Sequence, residues 1–248
     1  MTTPSVPPAT GHPRDEAHWA GSVGKLKVGS VPQGAVNLNV DGRRPTSPLQ
    51  GFGRLWQKTY RVLIPAEVAS PTQVVEVWKA NLPKFQPPQN RFFPAAAGVA
   101  PGEVVLINAS MQGMPVDTGV MVLYADDESF TLMTPEGHPE AGWITFSAYS
   151  DGPHTVCQIQ SMARAADPVY EIGFRLIGAK AQEKIWHHVL HSLAGHYGVT
   201  GVAVHMQKTC VDPRVQWAAV RNLWHNAGMR SMIYVMGRPV RRLRAPRR

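Results

Sequence analysis

The chain has 248 residues, of which 44% are hydrophobic and 17% are charged, and its formal net charge is +8. This length and composition indicate one sizeable folded core and exclude wholesale disorder. The two cysteines, Cys157 and Cys210, are too few for a disulfide framework and form no CxxC motif. No stretch approaches eighteen apolar residues, so a membrane-spanning helix is not predicted.

The positive charge is concentrated at the C-terminal end. Residues 201–248 contain ten Lys and Arg residues and a single acid, Asp212, whereas residues 1–200 contain 15 bases and 16 acids. The body of the protein is therefore nearly neutral, and the high net charge does not by itself indicate nucleic-acid binding. The first twenty residues contain four prolines and no apolar segment, so no signal peptide is predicted. We expect a cytoplasmic protein, with peripheral attachment to a membrane as an alternative.

The first elements follow from composition and from one capping motif. Residues 1–50 contain seven prolines and six glycines and no sustained apolar period, which predicts a flexible or loosely docked arm. The run from Leu55 to Ile64 predicts a first strand. The stretch SPTQ at 70–73 has the pattern of a capping box with proline at the first helical position. The helix that begins there must end near Leu82, because Pro83 follows.

Between about residues 103 and 164 the pattern changes to short strands separated by turn-forming residues. Short connections between consecutive strands favour an antiparallel meander. In the last strand, alternate residues from Thr155 to Ala163 suit the interior of the protein. The predicted strands are Val104–Ser110, Gly119–Ala125, Ser129–Thr134, Gly142–Tyr149 and Thr155–Arg164.

A second, long helix is predicted from Asp167-Pro168 to about residue 196. Its length is roughly 40 Å, enough to cross the concave face of such a sheet. Apolar residues recur along one face at steps of three and four, and His188 lies on the same face. That predicted face consists of Tyr170, Phe174, Ile177, Ala181, Ile185 and Val189.

A further strand at Val202–Val211 and a third helix from Asp212-Pro213 to about Gly237 complete the predicted elements. On a helical wheel, Trp217 and Trp224 gather with other apolar residues, opposite Arg214 and Arg221. We expect this basic amphipathic segment to attach either to the body of the protein or a second copy, or to an anionic membrane surface. The first is favoured because two tryptophans are costly to leave in water. Nucleic-acid binding is disfavoured, because no recognised module is present.

Three stretches resemble a known family: GFGRLWQKTYRV at 51–62, YADDESFTLMTPEGHPEAGWITFSAY at 124–149, and DPVYEIGFRL at 167–176. They are similar to the bacterial domain-of-unknown-function family 1990, grouped with the START-like (SRPBCC, helix-grip) proteins. The resemblance implies an α+β fold in which a curved antiparallel sheet grips a long helix around a cavity. Relatives of that architecture carry lipids, hormones or polyketides, and a few are cyclases or hydrolases.

This interpretation divides the chain into three parts. They are a Pro/Gly-rich arm at 1–50, a helix-grip domain at 51–200, and a basic strand-helix extension with an arginine-rich tail at 201–248. In the central domain we predict a cavity that binds a small hydrophobic, lipid- or polyketide-like molecule. Ordinary core packing of the aromatic residues is the alternative. The candidate lining residues are Asn90, Arg91, Tyr124, Trp143, Ile159, Phe174 and His188.

An enzyme, either a cyclase or a hydrolase, is a second hypothesis. Glu136 and His138 lie in one predicted loop, and a Glu/His pair beside a cavity can move a proton. His188 would be a further acid or base. The competing interpretations are a polar turn and a core histidine. A third hypothesis is an adaptor that acts through its C-terminal basic helix.

Neither a metal site nor a cofactor is predicted. Glu183, His187 and His191 recur at steps of four, which is a metal-ligand spacing, but the HExxH pattern is absent. Lys180 and Lys184 share their helix face, which favours a solvated surface. Phosphate-binding glycine motifs and the GxSxG motif are also absent.

Overall fold

A computed structural model describes residues 16–111 and 113–237, with the side chains of Ile177 and Ala179 left out. Its eight strands form one antiparallel sheet in the order β2-β3-β4-β5-β6-β7-β1-β8. The predicted antiparallel meander is therefore confirmed, as strands β3 to β7. The strands are β1 Leu55–Pro65, β2 Asn90–Phe93, β3 Val104–Met111, β4 Met114–Ala125, β5 Ser129–Met133, β6 Glu140–Asp151, β7 His154–Ala165 and β8 His205–Asp212.

The inner face of the sheet packs on helix α1 and on the helical segment Pro168–His196, which is described in the next paragraph. Helix α1 spans Pro71–Asn81 and starts at the predicted capping box, in which the Ser70 hydroxyl accepts from the Gln73 amide and the Gln73 side chain accepts from the Ser70 amide. Trp78 of α1 is fully buried against the rings of Phe130 and Phe146. Because the strands alternate, each contributes every second side chain to this core. The fold is the α+β helix-grip fold that the sequence predicted.

The long helix is not continuous. Helix α2 spans Pro168–Gly173, a π-helical turn spans Phe174–Gly178, and helix α3 spans Ala179–His196. A π turn holds one more residue than an α turn, so it rotates the face that follows it. Tyr170, before the turn, and Phe174, its first residue, pack on a small cluster of alanines. After it, the buried face consists of Trp186, Val189, Leu190, Leu193 and Ala194.

Beyond the π turn the predicted apolar face is confirmed only in part, because Val189 is buried and Ile185 packs against the core but His188 does not. Ala181 is exposed but lines the cavity described below, whereas His188 is exposed and lies away from the inner face on which the sequence placed it. Relative to the face centred on Trp186 and Leu190, a residue at position 188 points away from the sheet, because each residue turns the helix by about 100°.

A second layer covers part of the outer face of the sheet. Residues 16–50 follow an irregular path with two short 3-10 turns, at Glu16–His18 and Pro48–Gln50. This part of the arm is docked rather than loose, because Leu26 and Val40 are fully buried against β3 and β4. Residues 1–15 of the predicted arm lie outside the described residues.

The C-terminal extension joins the same sheet. Strand β8 pairs with β1, so the extension adds an edge strand to the sheet. The predicted third helix is divided into a 3-10 helix at Trp217–His225 and helix α4 at Ala227–Met236. The division falls at Asn226, whose non-helical backbone ends the first helix and whose side chain accepts from the Met229 amide to start the second. Within the described ranges, no helix is both long and apolar enough to cross a membrane. The arginines from position 238 onward lie beyond them.

Candidate functional site

A cavity of about 540 Å³ lies between the inner face of the sheet and the α2–π–α3 segment. Its wall on the sheet side is a row of aliphatic side chains from four neighbouring strands, Ile107, Val120, Leu132 and Ile144. This row exists because inward positions of adjacent antiparallel strands lie side by side. The cavity has the size of typical small-molecule sites, roughly 300–1,000 Å³.

The helix side of the cavity is shaped by the π turn. Gly173 and Gly178 flank this turn and both line the cavity. A Cβ atom at Gly178 would lie 2.7 Å from the Phe174 ring, so the close approach of the ring to the backbone requires glycine there. At the rim of the cavity, Met114 and Leu176 are exposed. Apolar side chains therefore continue from the wall to the rim.

One part of the wall is polar. Lys58 of β1 is buried, and its ammonium group donates to the Gln182 side-chain oxygen. The Gln182 amide in turn donates to the Glu140 carboxylate. Gln182 and Glu140 line the cavity, as does Ser161, which pairs with Lys58 across β7 and β1. Gln182 thus connects the ammonium group of Lys58 to the carboxylate of Glu140, and the positive and negative charges of this group of residues balance.

His138 also lines the cavity, and its environment keeps it neutral. The Glu140 backbone amide donates to the His138 Nδ1 atom at 3.1 Å. Burial lowers the pKa of His138 to about 4, because the charged imidazolium would lose its hydration. At neutral pH, His138 therefore presents an uncharged ring to the cavity, able to exchange hydrogen bonds with a ligand.

Two further polar atoms of the lining residues are buried without a partner among the residues that the structure describes. They are the Thr118 hydroxyl oxygen and the indole nitrogen of Trp186. An unsatisfied buried group costs free energy, roughly 1–3 kcal/mol. Such groups are found where a small shift of a side chain, or a bound molecule, supplies the missing hydrogen bond.

Four of the residues predicted from the sequence line the cavity: Asn90, His138, Trp143 and Phe174. Asn90 is held by Gln86, to which its side chain donates at 3.1 Å. Arg91 next to it is exposed and stacks over the Phe93 ring outside the cavity. The strand alternation that brings Asn90 inward turns Arg91 outward.

Three other predicted lining residues lie elsewhere. Tyr124 is buried under the docked arm, where its ring meets Trp19 and its hydroxyl donates to Asp126. Ile159 is fully buried in the solid core beside the cavity. His188 is exposed and does not line the cavity, because the π turn rotates helix α3 so that this residue points away from the sheet.

The three predicted acid-base residues are not brought together. Glu136 lies outside the cavity, where Arg44 donates to its carboxylate at 3.0 Å and the His225 Nδ1 atom lies 3.1 Å away. Of Glu136, His138 and His188, only His138 reaches the cavity. Cys157 is likewise no candidate nucleophile, because burial raises the pKa of its thiol to about 12.

The polar residues Lys58, Glu140 and Gln182 were missed by the sequence reasoning. A signal was present for Lys58: it interrupts the alternating inward series of Trp56, Tyr60 and Val62 with a charged residue. Gln182 lies one residue from the predicted apolar face of the helix, so its position depended on the π turn. In the described ranges, no group of three or more His, Cys, Asp and Glu side chains could hold a metal ion.

Comparison with solved structures gives weak likenesses. The protein TTHA0849 of Thermus thermophilus is 15% identical, with a TM-score of 0.44 over 57% of this chain and 96% of that chain. A START superfamily protein of Mycobacterium smegmatis is 18% identical, with a TM-score of 0.39 over 59% and 98%. The di-domain ARO/CYC StfQ of the steffimycin biosynthetic pathway is 10% identical, with a TM-score of 0.45 over 58% and 50%.

These structures include START-like proteins, but TM-scores below 0.5 assign neither a family nor an activity to this chain. No protein-family model matches the sequence, and no curated protein is similar to it. The resemblance to family 1990 is therefore not confirmed, and the fold by itself assigns no function.

Proposed function

We propose that the protein binds a small, mostly apolar molecule carrying a hydroxyl or carbonyl group, in the cavity between the sheet and helix α3. The observation that supports this most is the cavity itself, whose aliphatic wall is continuous with an exposed apolar rim. An apolar ligand would gain free energy by leaving water, about 25 cal/mol for each Å² it buries.

The polar part of the wall would orient the ligand. Gln182, Glu140 and Ser161 present donors and acceptors, and His138 adds a neutral ring. Because Lys58 and Glu140 balance each other, this end favours a neutral polar group over a charged one. Few convergent polar groups in an apolar cavity are the usual design of sites that select one molecule from many of similar size.

Blocking the cavity tests the proposal. Ala181 lines it from α3 and is exposed, so Ala181→Trp would fill the entrance without displacing a buried side chain. The matched control is Lys180→Trp, which adds the same ring at the neighbouring exposed position outside the lining. Binding of Nile red and of 1-naphthol would be followed by fluorescence titration, and co-purified molecules by native mass spectrometry.

We expect Ala181→Trp to weaken both probes at least about tenfold, or roughly 1.4 kcal/mol, and the control to bind like the unchanged protein. Co-purified mass should also be lost from the blocked variant. If the two variants bind equally well, or if neither probe binds the unchanged protein, the cavity is not a ligand site and the proposal is wrong.

A further inference from the structure

The C-terminal 3-10 helix leaves most of both of its tryptophan side chains exposed, and only an edge of Trp217 meets the Phe52 ring. With three residues to a turn, its side chains form three columns. The column of Ala219, Asn222 and His225 faces the protein, where the Asn222 amide donates to the carbonyls of residues 50 and 166 at 2.7 and 2.8 Å. The other two columns face outward, so Trp217 is 71% exposed and Trp224 is 81% exposed.

Helix α4 also exposes apolar side chains. Only Ala227 and Ser231 are buried, and the Ser231 hydroxyl accepts from the Asn39 side chain and from the Asp117 backbone amide on the outer face of β4. Ile233 and Met236 are 69% and 72% exposed. We call the exposed side chains of this segment the C-terminal apolar surface: Trp217, Val220, Trp224, Met229, Met232, Ile233, Val235 and Met236.

The expectation that the two tryptophans dock on the body of the protein is therefore met only at one edge of Trp217, whose ring centroid lies 5.4 Å from that of Phe52, and most of both side chains stays exposed. The 3-10 geometry turns a different column inward than an α-helix would, and polar Asn222 makes the anchoring contacts. Eight large apolar side chains are exposed within the twenty residues 217–236, and exposed apolar side chains in such number mark sites of interaction.

The unmatched charge of this segment is positive. Glu136, which lies beside His225, is paired with Arg43 and Arg44. Arg214, Arg221 and Arg230 are exposed. The single acid of residues 201–248, Asp212, accepts from Arg164 at 3.2 Å and from Arg214 at 3.0 Å, so its charge is already matched. The sequence adds six more arginines between positions 238 and 248. The surface therefore offers large apolar side chains within a field of positive charge.

The apolar side chains and the positive charge together indicate which kind of partner fits this surface best. A symmetric pair of copies would set the same patch against itself, so arginines would face arginines. Nucleic acid would satisfy the charge, but aliphatic side chains such as Ile233 and Met236 have no base to stack on. An anionic bilayer satisfies both properties, since tryptophan settles at the level of the headgroups and arginine pairs with lipid phosphates.

We propose that the C-terminal apolar surface docks on the surface of anionic lipid bilayers. Trp217 and Trp224 enter the interfacial layer together with the exposed face of α4. Arg214 and Arg221 contact the headgroup phosphates, and the protein lies on the bilayer without crossing it.

The test is flotation of the full chain with phosphatidylcholine vesicles, with and without about 30 mole per cent phosphatidylglycerol. We expect the protein to float with the anionic vesicles, and its tryptophan emission to shift to the blue on binding. At high salt, the partition coefficient of the protein into these vesicles should fall at least about tenfold. The double variant Trp217→Ser/Trp224→Ser should bind at least about tenfold less. The control Tyr149→Ser changes an exposed aromatic residue near the far end of β6 and should bind normally.

Circular dichroism melting separates a docking defect from misfolding. Both tryptophans are mostly exposed, and Trp217 contacts only the Phe52 ring, so their loss should lower the melting temperature by only a few degrees. The proposal is overturned if anionic vesicles do not recover the unchanged protein, or if the double variant binds them equally well. It is also overturned if the double variant instead abolishes a concentration-dependent dimer or the binding of RNA.

Discussion

The Asn226 side-chain amide donates a 2.8 Å hydrogen bond to the Asp167 carboxylate, and each of these residues is the N-cap of a helix. Asp167 accepts from the first amides of α2, and Asn226 accepts from the Met229 amide of α4. Both residues are buried. One pair of side chains therefore fixes the start of two helices that lie 59 residues apart in the sequence.

Replacing Asn226 with alanine should destabilise the protein. The change removes the cap of α4 and leaves one oxygen of the buried Asp167 carboxylate without its donor. We expect the free energy of unfolding to fall by about 2–3 kcal/mol in urea titration. Arg221→Ala, an exposed change in the neighbouring 3-10 helix, should cost less than about 0.5 kcal/mol. Equal effects would mean that the Asn226–Asp167 bond carries no stability.

Gly137 is one of the points at which the C-terminal segment contacts the body. Its φ angle is +90°, its carbonyl accepts from the Ala227 amide at 2.9 Å, and a Cβ atom there would lie 2.1 Å from the His225 carbonyl oxygen. Gly137→Ala should therefore lift this segment from the sheet. We expect faster limited proteolysis between residues 213 and 237, with the sheet still protected.

Gly152→Ala provides the matched control for that experiment. Gly152 also has a positive φ angle, +55°, but a Cβ atom there would meet nothing within 4 Å. Alanine at this position should also be strained, because its φ angle is positive. The cleavage rate of residues 213–237 should nevertheless stay unchanged. Equal acceleration by both variants would show general loosening rather than release of one segment.

The depressed pKa of His138 makes stability depend on pH. The unfolded histidine takes up a proton near pH 6.5, whereas the folded one does so only near pH 4. Between these values the unfolded state holds more protons, so stability is full above about pH 6.5 and falls as the pH decreases to about 4. The loss attributable to His138 should be of the order of 2–3 kcal/mol.

His138→Asn isolates this contribution. Asparagine can still accept from the Glu140 amide, because its side-chain oxygen lies near the position of the Nδ1 atom, but it does not titrate. Urea titrations at pH 7 and pH 4.5 should show a smaller decrease in stability for the variant than for the unchanged protein. Parallel decreases would mean that His138 is hydrated and that other groups cause the acid sensitivity.

Gln182 should determine the preference of the cavity for polar ligands. Gln182→Leu keeps the size of the side chain but removes the bridge between Lys58 and Glu140. We expect the unchanged protein to bind 1-naphthol more tightly than naphthalene, and the variant to lose about 1–2 kcal/mol of that difference. The control Gln89→Leu makes the same change at an exposed lining position. An unchanged preference in Gln182→Leu would place the polar contact elsewhere.

Much of the framework of this protein is determined by the sequence. Strand alternation from Thr155 to Ala163, short turns, and the cap at Ser70 act over a few residues, so the pattern alone predicts where the corresponding elements lie. The short strand Asn90–Phe93 was not predicted, because four residues carry too little periodicity. Its strand identity depends on pairing with β3.

Tertiary structure decided which side chains meet. One π turn between Gly173 and Ala179 rotates α3, takes His188 out of the interior and brings Gln182 into contact with Lys58 and Glu140. Asn222 holds the C-terminal 3-10 helix by two hydrogen bonds, whereas both tryptophans remain mostly exposed. A polarity pattern gives the period of a helix but not an inserted residue or a change of helix type. Those are set by the packing energy of the whole sheet-helix assembly, to which distant residues contribute as much as neighbours.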